Sequence, residues 1–232
     1  MHYSVQDLVS VGIAAVLTAG LYAIMSYGLA IIYGVMRVIN LSHAGFLMLG
    51  AFMTLVYFQQ WRLDPVAGAF VNLPVFFVLG WLVYKVLVRR VAAALPLASL
   101  LLLFALWLVI QNVALAIWGP DDQSIITAYT YKALSFGGFK VPVTRLIVFG
   151  VAFGVLSIMH FVLGHTHLGK ALRATVQDPQ AALLVGIDTA RISAVAFGIG
   201  TALAAFAGSL LTLLFSFTPS FGDSFQLKSF TI

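Results

Sequence analysis

Six stretches without a charged residue divide this chain of 232 residues, at 8–36, 38–61, 66–84, 91–118, 146–169 and 192–222. Each is long enough to cross a bilayer, because ~20 apolar residues at a helical rise of ~1.5 Å each span a hydrocarbon core of ~30 Å. Charged residues make up 8% of the chain and hydrophobic ones 62%, whereas a soluble domain is roughly a quarter charged. The fold expected is therefore all-α, a polytopic transmembrane helical bundle of about six spans. Too few residues remain for a sizeable soluble catalytic domain. Residues 1–232 are read as a single transmembrane domain.

The 12 Lys and Arg outnumber 7 acidic residues, all Asp, giving a net charge of +5. In a bundle of this kind the surplus reads as the Lys and Arg excess of cytoplasmic loops, so no nucleic-acid partner is expected. The segment Lys85-Val-Leu-Val-Arg-Arg90 holds three cations and no acid, and it is taken as cytoplasmic. Counting outward, Arg37, Lys85, Arg89, Arg90, Lys170, Arg173 and Arg191 fall on that side. Arg62, Lys132, Lys140, Arg145 and Lys228 fall on the other. This makes 165–191 a cytoplasmic loop and 119–145 an external loop, with the N-terminus outside. The first residues, Met-His-Tyr-Ser-Val-Gln-Asp, lack the basic region and cleavage site of a secretory signal. The external loop alternates at Tyr129-Thr-Tyr131, which implies short extended pieces or an interfacial hairpin.

The first internal turn, Gly34-Val-Met-Arg-Val-Ile-Asn40, is too apolar for a solvated loop. A broken or re-entrant segment is expected there. Irregular backbone at membrane depth requires protein or a water-filled cavity around its polar groups, so such a break points to a pathway. Arg37, Asn40 and His43 recur every three residues and would form one polar stripe on a helix. Asn40, Ser42 and His43 are candidates for the translocation path, with a hydrogen-bonded clamp as the structural alternative. Gln111 and Asn112 divide the same way, between interhelical packing and a polar patch on the path. Small-residue pairs at Ala30 and Gly34, Gly150 and Gly154, and Ala204 and Gly208 have the spacing of close helix contacts.

Residues 166–191 contain a short helix with both ends signed. Asp178 is a good N-cap, and Pro179 suits the first helical position because it has no N–H to lose. Gly186 can adopt the left-handed conformation that ends a helix. Between them Gln180, Ala181, Ala182, Leu183, Leu184 and Val185 make two turns with little charge. A helix so short is unstable alone, so its apolar side needs a partner, either its own bundle or a docking subunit.

Two further patterns carry no chemistry. Gly164-His-Thr-His-Leu-Gly-Lys-Ala171 imitates a phosphate-binding loop, but Ala171 replaces the hydroxyl that would bind Mg²⁺, and the segment follows an apolar span. His160, His165 and His167 have no nearby carboxylate and diverge on a helix, so no metal or haem site is expected. The chain has no Cys, which excludes thiolate ligands and disulfides. No cofactor is expected.

Gln180-Ala-Ala-Leu-Leu-Val-Gly186 resembles the Glu-Ala-Ala-x-x-x-Gly loop of ABC importer permeases, the coupling helix that sits in a groove of the ATPase subunit. Its flanks, Leu168-Gly-Lys-Ala-Leu-Arg-Ala174, Ala196-Phe197 and Ala202-Leu-Ala-Ala-Phe-Ala-Gly208, are similar to the permeases for branched-chain amino acids. So are Gly28-Leu-Ala-Ile-Ile-Tyr-Gly-Val-Met-Arg-Val-Ile-Asn-Leu-Ser-His43 with Phe46-Leu-Met-Leu-Gly-Ala51, Gln111-Asn112 with Gly119, and Pro219 with Gly222 and Leu227-Lys228. Two departures stand out: Gln180 replaces the acid that opens the coupling motif, and Ala44-Gly45-Phe46 lacks the Glu common after the His-Gly pair.

The resemblance implies a non-enzymatic permease subunit of an ABC importer in a bacterial inner membrane, moving branched-chain or related amino acids. It implies two ATP-binding subunits, a second permease, homologous or identical, and an external substrate-binding protein. Asp178, Pro179, Gln180, Ala181, Ala182 and Gly186 would form the ATPase coupling element. A permease for urea or short amides is the near alternative. A secondary transporter or channel is the distant one, and it would call for an intramembrane carboxylate where none of the six runs has one. Family members continue beyond the match to Lys228-Ser-Phe-Thr-Ile232, so the chain is expected to lack the C-terminal part.

Overall fold

The computed structural model describes residues 5–92, 96–136, 139–222 and 225. Lys228 and the Leu227-Lys228 block lie outside the described residues. The helices are α1 (Val5–Met36), α2 (His43–Trp61), α3 (Pro65–Val83), α4 (Arg89–Ala92), α5 (Pro96–Trp118), α6 (Val143–His165), α7 (His167–Gln177), α8 (Pro179–Leu184) and α9 (Thr189–Leu211). A π-helical stretch, Tyr84–Val88, carries α3 into α4. Each uncharged run of the sequence holds one long helix: α1, α2, α3, α5, α6 or α9.

Among the described residues, five segments are long and apolar enough to cross a membrane: Leu8–Met36, Pro65–Val91, Leu97–Trp118, Val143–His165 and Thr189–Leu211. The sixth run, α2, differs. It opens on His43, closes on Gln59-Gln60-Trp61 and is buried along most of its length. The molecule is a polytopic helical membrane protein with α2 held inside it.

The core forms around α9. This helix is rich in Ala, Gly, Ser and Thr, side chains small enough for neighbouring backbones to approach closely. On α2, a Cβ added at Gly50 would collide with the Ala205 backbone, and one at Gly208 would collide with the Leu47 carbonyl. The Ala204 and Gly208 pair is thus a true contact between α9 and α2. Within this chain Gly150 and Gly154 have no neighbour within 4 Å, Ala30 is exposed, and Gly34 makes an ordinary contact with the Val176 side chain of α7 at 3.8 Å. α3 lies on α9 through Thr201, whose hydroxyl reaches the Phe76 carbonyl at 3.1 Å. α1 lies on α9 where Gly28 meets Gly200, and α6 covers α1 where Gly20 meets Phe149. α5 contributes little to the interior: Leu97, Leu101, Val109, Val113 and Ile117 are all exposed.

The two ends of the bundle differ. At one, Val35 of α1, Leu172 of α7 and Ile192 of α9 pack together, and α8 lies in the chain between the last two. At the other is an antiparallel hairpin, β1 (Ala133–Phe136) and β2 (Phe139–Pro142), registered Ala133 to Pro142. The hairpin falls within the 119–145 loop, but not at Tyr129-Thr-Tyr131, which forms a turn. Lys132 N–H bonds the Tyr129 carbonyl at 3.1 Å, Thr127 N–H bonds the Thr130 hydroxyl at 2.8 Å, and the Tyr129 hydroxyl donates to Asp64 at 2.8 Å. Local side-chain bonds of this kind compete with strand formation.

Candidate functional site

The first site is the break between α1 and α2. Helix α1 ends at Met36, and Arg37 takes a left-handed conformation at φ 56°. The chain then turns back into the bundle. The imidazole of His43 lies 3.1 Å from the Met25 carbonyl, eleven residues before the end of α1, or about 16 Å along the helix at ~1.5 Å per residue. The turn at 37–42 is therefore re-entrant. Its polar residues are enclosed: Asn40 and Ser42 are fully buried and His43 nearly so. The expected stripe of Arg37, Asn40 and His43 on one helix face does not form, because 37–42 is not helical and Arg37 is exposed. The fold of the turn, rather than helical spacing, brings Asn40, Ser42 and His43 together.

The hydrogen bonds in this turn leave specific atoms unmet. Asn40 Oδ1 accepts from the Ser42 N–H at 3.1 Å and from its hydroxyl at 2.6 Å, which fixes the amide orientation and turns Nδ2 away. A carbonyl only accepts, so His43 Nε2 carries the proton donated to Met25, and Nδ1 is a bare acceptor. Asn40 Nδ2 and His43 Nδ1 are both buried without a protein partner, as is the Ser26 hydroxyl of α1. Such groups in a low-dielectric interior are costly unless something polar meets them. Here a donor and an acceptor occur within four residues of one short turn.

Gln111 and Asn112 are not joined to this turn. Asn112 is exposed, and its amide donates to the Leu108 carbonyl of its own helix at 2.8 Å. The interhelical bond expected of it is thus an intrahelical one. The two residues line a surface cleft of about 300 Å³ with Thr218, Pro219 and Ser220. The interhelical bonding lies elsewhere: Asn72 Nδ2 of α3 sits 3.1 Å from the Gly50 carbonyl, 3.1 Å from Thr54 Oγ1 and 2.8 Å from Ser209 Oγ. This buried knot ties α2, α3 and α9. Asn72, Thr54 and Ser209 were not singled out in the sequence, although a lone Asn in an apolar run is the signal that marks one.

The second site is α8. Asp178 Oδ1 accepts from Gln180 N–H at 2.8 Å and Ala181 N–H at 3.0 Å, and Pro179 follows at the first helical position. At the other end Gly186 adopts φ 85°, with Gly186 N–H bonded to the Leu183 carbonyl and Ile187 N–H to the Ala182 carbonyl, both at 3.0 Å. That is the paired closure of a helix on a left-handed glycine. Of the six coupling residues named in the sequence, Ala182 is buried and packs α8 onto the bundle, whereas Asp178, Pro179, Gln180, Ala181 and Gly186 are exposed. The most prominent exposed apolar groups are Leu183 at 56%, Leu184 at 89% and Val185 at 75%. The sequence read these three as part of the helix without separating the outward side from the inward one.

The chain is thus a multi-span helical membrane protein with a re-entrant polar turn and an exposed capped helix at one end. The sequence profile described as branched-chain amino acid transport system, permease component, matches residues 12–232. The chain belongs to that family. It is 26% identical over 223 residues to the high-affinity branched-chain amino acid transport system permease protein LivH of Salmonella typhimurium, covering 90% of this chain and 72% of the relative. It is 27% identical to BraD of Pseudomonas aeruginosa, a permease protein of the same kind of system, over 90% of this chain and 73% of the relative. The probable branched-chain amino acid transport permease LivH of Methanocaldococcus jannaschii is 24% identical, over 93% and 70%. No solved structure matches the chain.

Proposed function

We propose that this chain is a permease subunit of an ATP-driven importer for branched-chain or related amino acids in a bacterial inner membrane. The observation that carries the reading is α8, a helix of six residues capped at both ends that turns Ala182 inward and Leu183, Leu184 and Val185 outward. An apolar face on so short an element is suited to a groove on another subunit. In this reading two ATPase subunits receive α8 of this chain and of a second permease, homologous or identical, and an external protein delivers the amino acid.

The connections of α8 support a mechanical role. Ile187 N–H closes onto Ala182, and Asp188 caps α9 through Arg191 N–H at 3.0 Å, so little slack separates α8 from α9. Helix α9 is the element on which α1, α2 and α3 all pack. A push on α8 would move the core helix and, through the Gly208 contact, the start of α2. ATP can shift the bundle between two states only if the ATPase contacts α8 differently in each. Asn40, Ser42 and His43 would line the path, offering an amide donor and an imidazole acceptor to a zwitterionic substrate. The names of the relatives favour branched-chain amino acids over urea or amides.

Leu184→Glu is the direct test, because the side chain is exposed and its loss leaves the fold intact. ATPase co-purification and leucine uptake should both be lost while the protein remains in the membrane. Gly186→Asp, which strains a left-handed position, should do the same. Unchanged ATPase co-purification with both variants would remove the docking reading.

A further inference from the structure

A cleft of about 650 Å³ opens at the α8 end of the bundle, between the π-helical stretch after α3 and the start of α9. One wall is apolar, with Phe77, Val78 and Trp81, and the rim carries Lys85, Arg89 and Arg191. The Lys85 ammonium lies 4.8 Å from the centroid of the Trp81 ring, a cation held over an indole face. Among the described residues, no carboxylate lies within 4.0 Å of any of the three cations. Asp188 is the one acid in the lining, and its Oδ1 is engaged by Arg191 N–H at 3.0 Å as the cap of α9. Three cations against one carboxylate leave the cleft at a formal +2.

We infer that this cleft binds an anionic phospholipid, with the phosphate among Lys85, Arg89 and Arg191 and the acyl chains along Phe77 and Val78. Basic pockets between membrane helices attract anionic headgroups, and aromatic residues such as Trp81 favour the same depth. The apolar wall chooses lipid over a free anion. Val78 is 53% exposed and continues an exposed apolar side of α3 that includes Val71, Val75 and Leu82. A ligand filling both rim and wall needs a charged head and a tail. The π-helical stretch is a second sign, because such interruptions of an α-helix occur frequently at functional sites. The inference is independent of what the chain transports.

Native mass spectrometry of the full chain, released from detergent with phosphatidylglycerol or phosphatidylcholine of identical acyl chains, tests it. Phosphatidylglycerol should be retained in preference, and K85Q/R89Q should weaken that retention by on the order of tenfold. The matched variant K132Q/K140Q, at the hairpin end, should leave it unchanged. If K85Q/R89Q fails to accumulate as folded protein, Arg191→Gln serves instead, with a loss of a few-fold. Equal retention of the two lipids, or retention indifferent to both sets of rim variants, would overturn the site. Inorganic phosphate that binds the chain with the same sensitivity to K85Q/R89Q would overturn the lipid and leave a free-anion site.

Discussion

Asn40 holds the re-entrant turn by accepting two bonds from Ser42. Replacing it with Ala leaves a buried N–H and hydroxyl unmet, so Asn40→Ala should lower stability by about 1–3 kcal/mol, measured by thermal unfolding in detergent. His43→Phe removes the bond to Met25 together with the bare Nδ1, so it should lower leucine uptake beyond what the accompanying fall in unfolding temperature accounts for. At the hairpin end, burial first and then the Asp64 carboxylate raise the Tyr129 phenol above its ordinary value of 10.0. With the folded-state pKa raised, the folded chain resists ionisation. Tyr129 therefore adds full stability below about pH 10 and loses it progressively as pH climbs from there through the raised folded-state value. A stability titration from about pH 8 to 11 should show an alkaline loss in the wild type that Tyr129→Phe lacks. Asp178 and Gly186 were readable as caps because each acts on its nearest backbone neighbours. Asn72 was not, because its partners lie on other helices, and the unmet atoms of Asn40 and His43 were not, because their enclosure depends on the packing around the turn.

Among the elements, α8 and the crossing of α2 with α9 respond to different changes. Asp178→Ala removes the acceptor for two α8 N–H groups, and its cost of about 1 kcal/mol should appear as faster amide exchange at Ala181 to Leu184 while α7 and α9 are unaffected. Gly208→Leu should be much more severe, since even a Cβ there meets the Leu47 carbonyl. Overpacking a dense contact typically costs about 1–3 kcal/mol and more against backbone. Expression monitored by size-exclusion chromatography should show little folded protein. Positions of α1, α3, α5, α6 and α9 follow from their uncharged runs. The role of α2 does not, because its composition resembles the rest while its first turn is seated inside the bundle.

In the molecule as a whole, α8 and the hairpin lie at opposite ends of the bundle. The absence of Cys makes this easy to examine, since each introduced thiol gives a single signal. Leu184→Cys and Tyr131→Cys, at side chains 89% and 83% exposed, should be labelled from opposite faces of the membrane, Leu184 from the side of the proposed ATPase contact. Labelling of both from one face would overturn the topology. The sequence by itself determined where the long helices lie and where α8 begins and ends, because apolar run length, an Asp-Pro start and a left-handed Gly are local properties. Only the tertiary structure decided which side of each helix faces inward. Runs apolar on every side have no periodicity to separate core from lipid, since lipid tails are as apolar as Leu. Hence the burial of α9, the inward turn of Ala182 and the enclosure of Asn40, Ser42 and His43 emerged only when the helices were packed together.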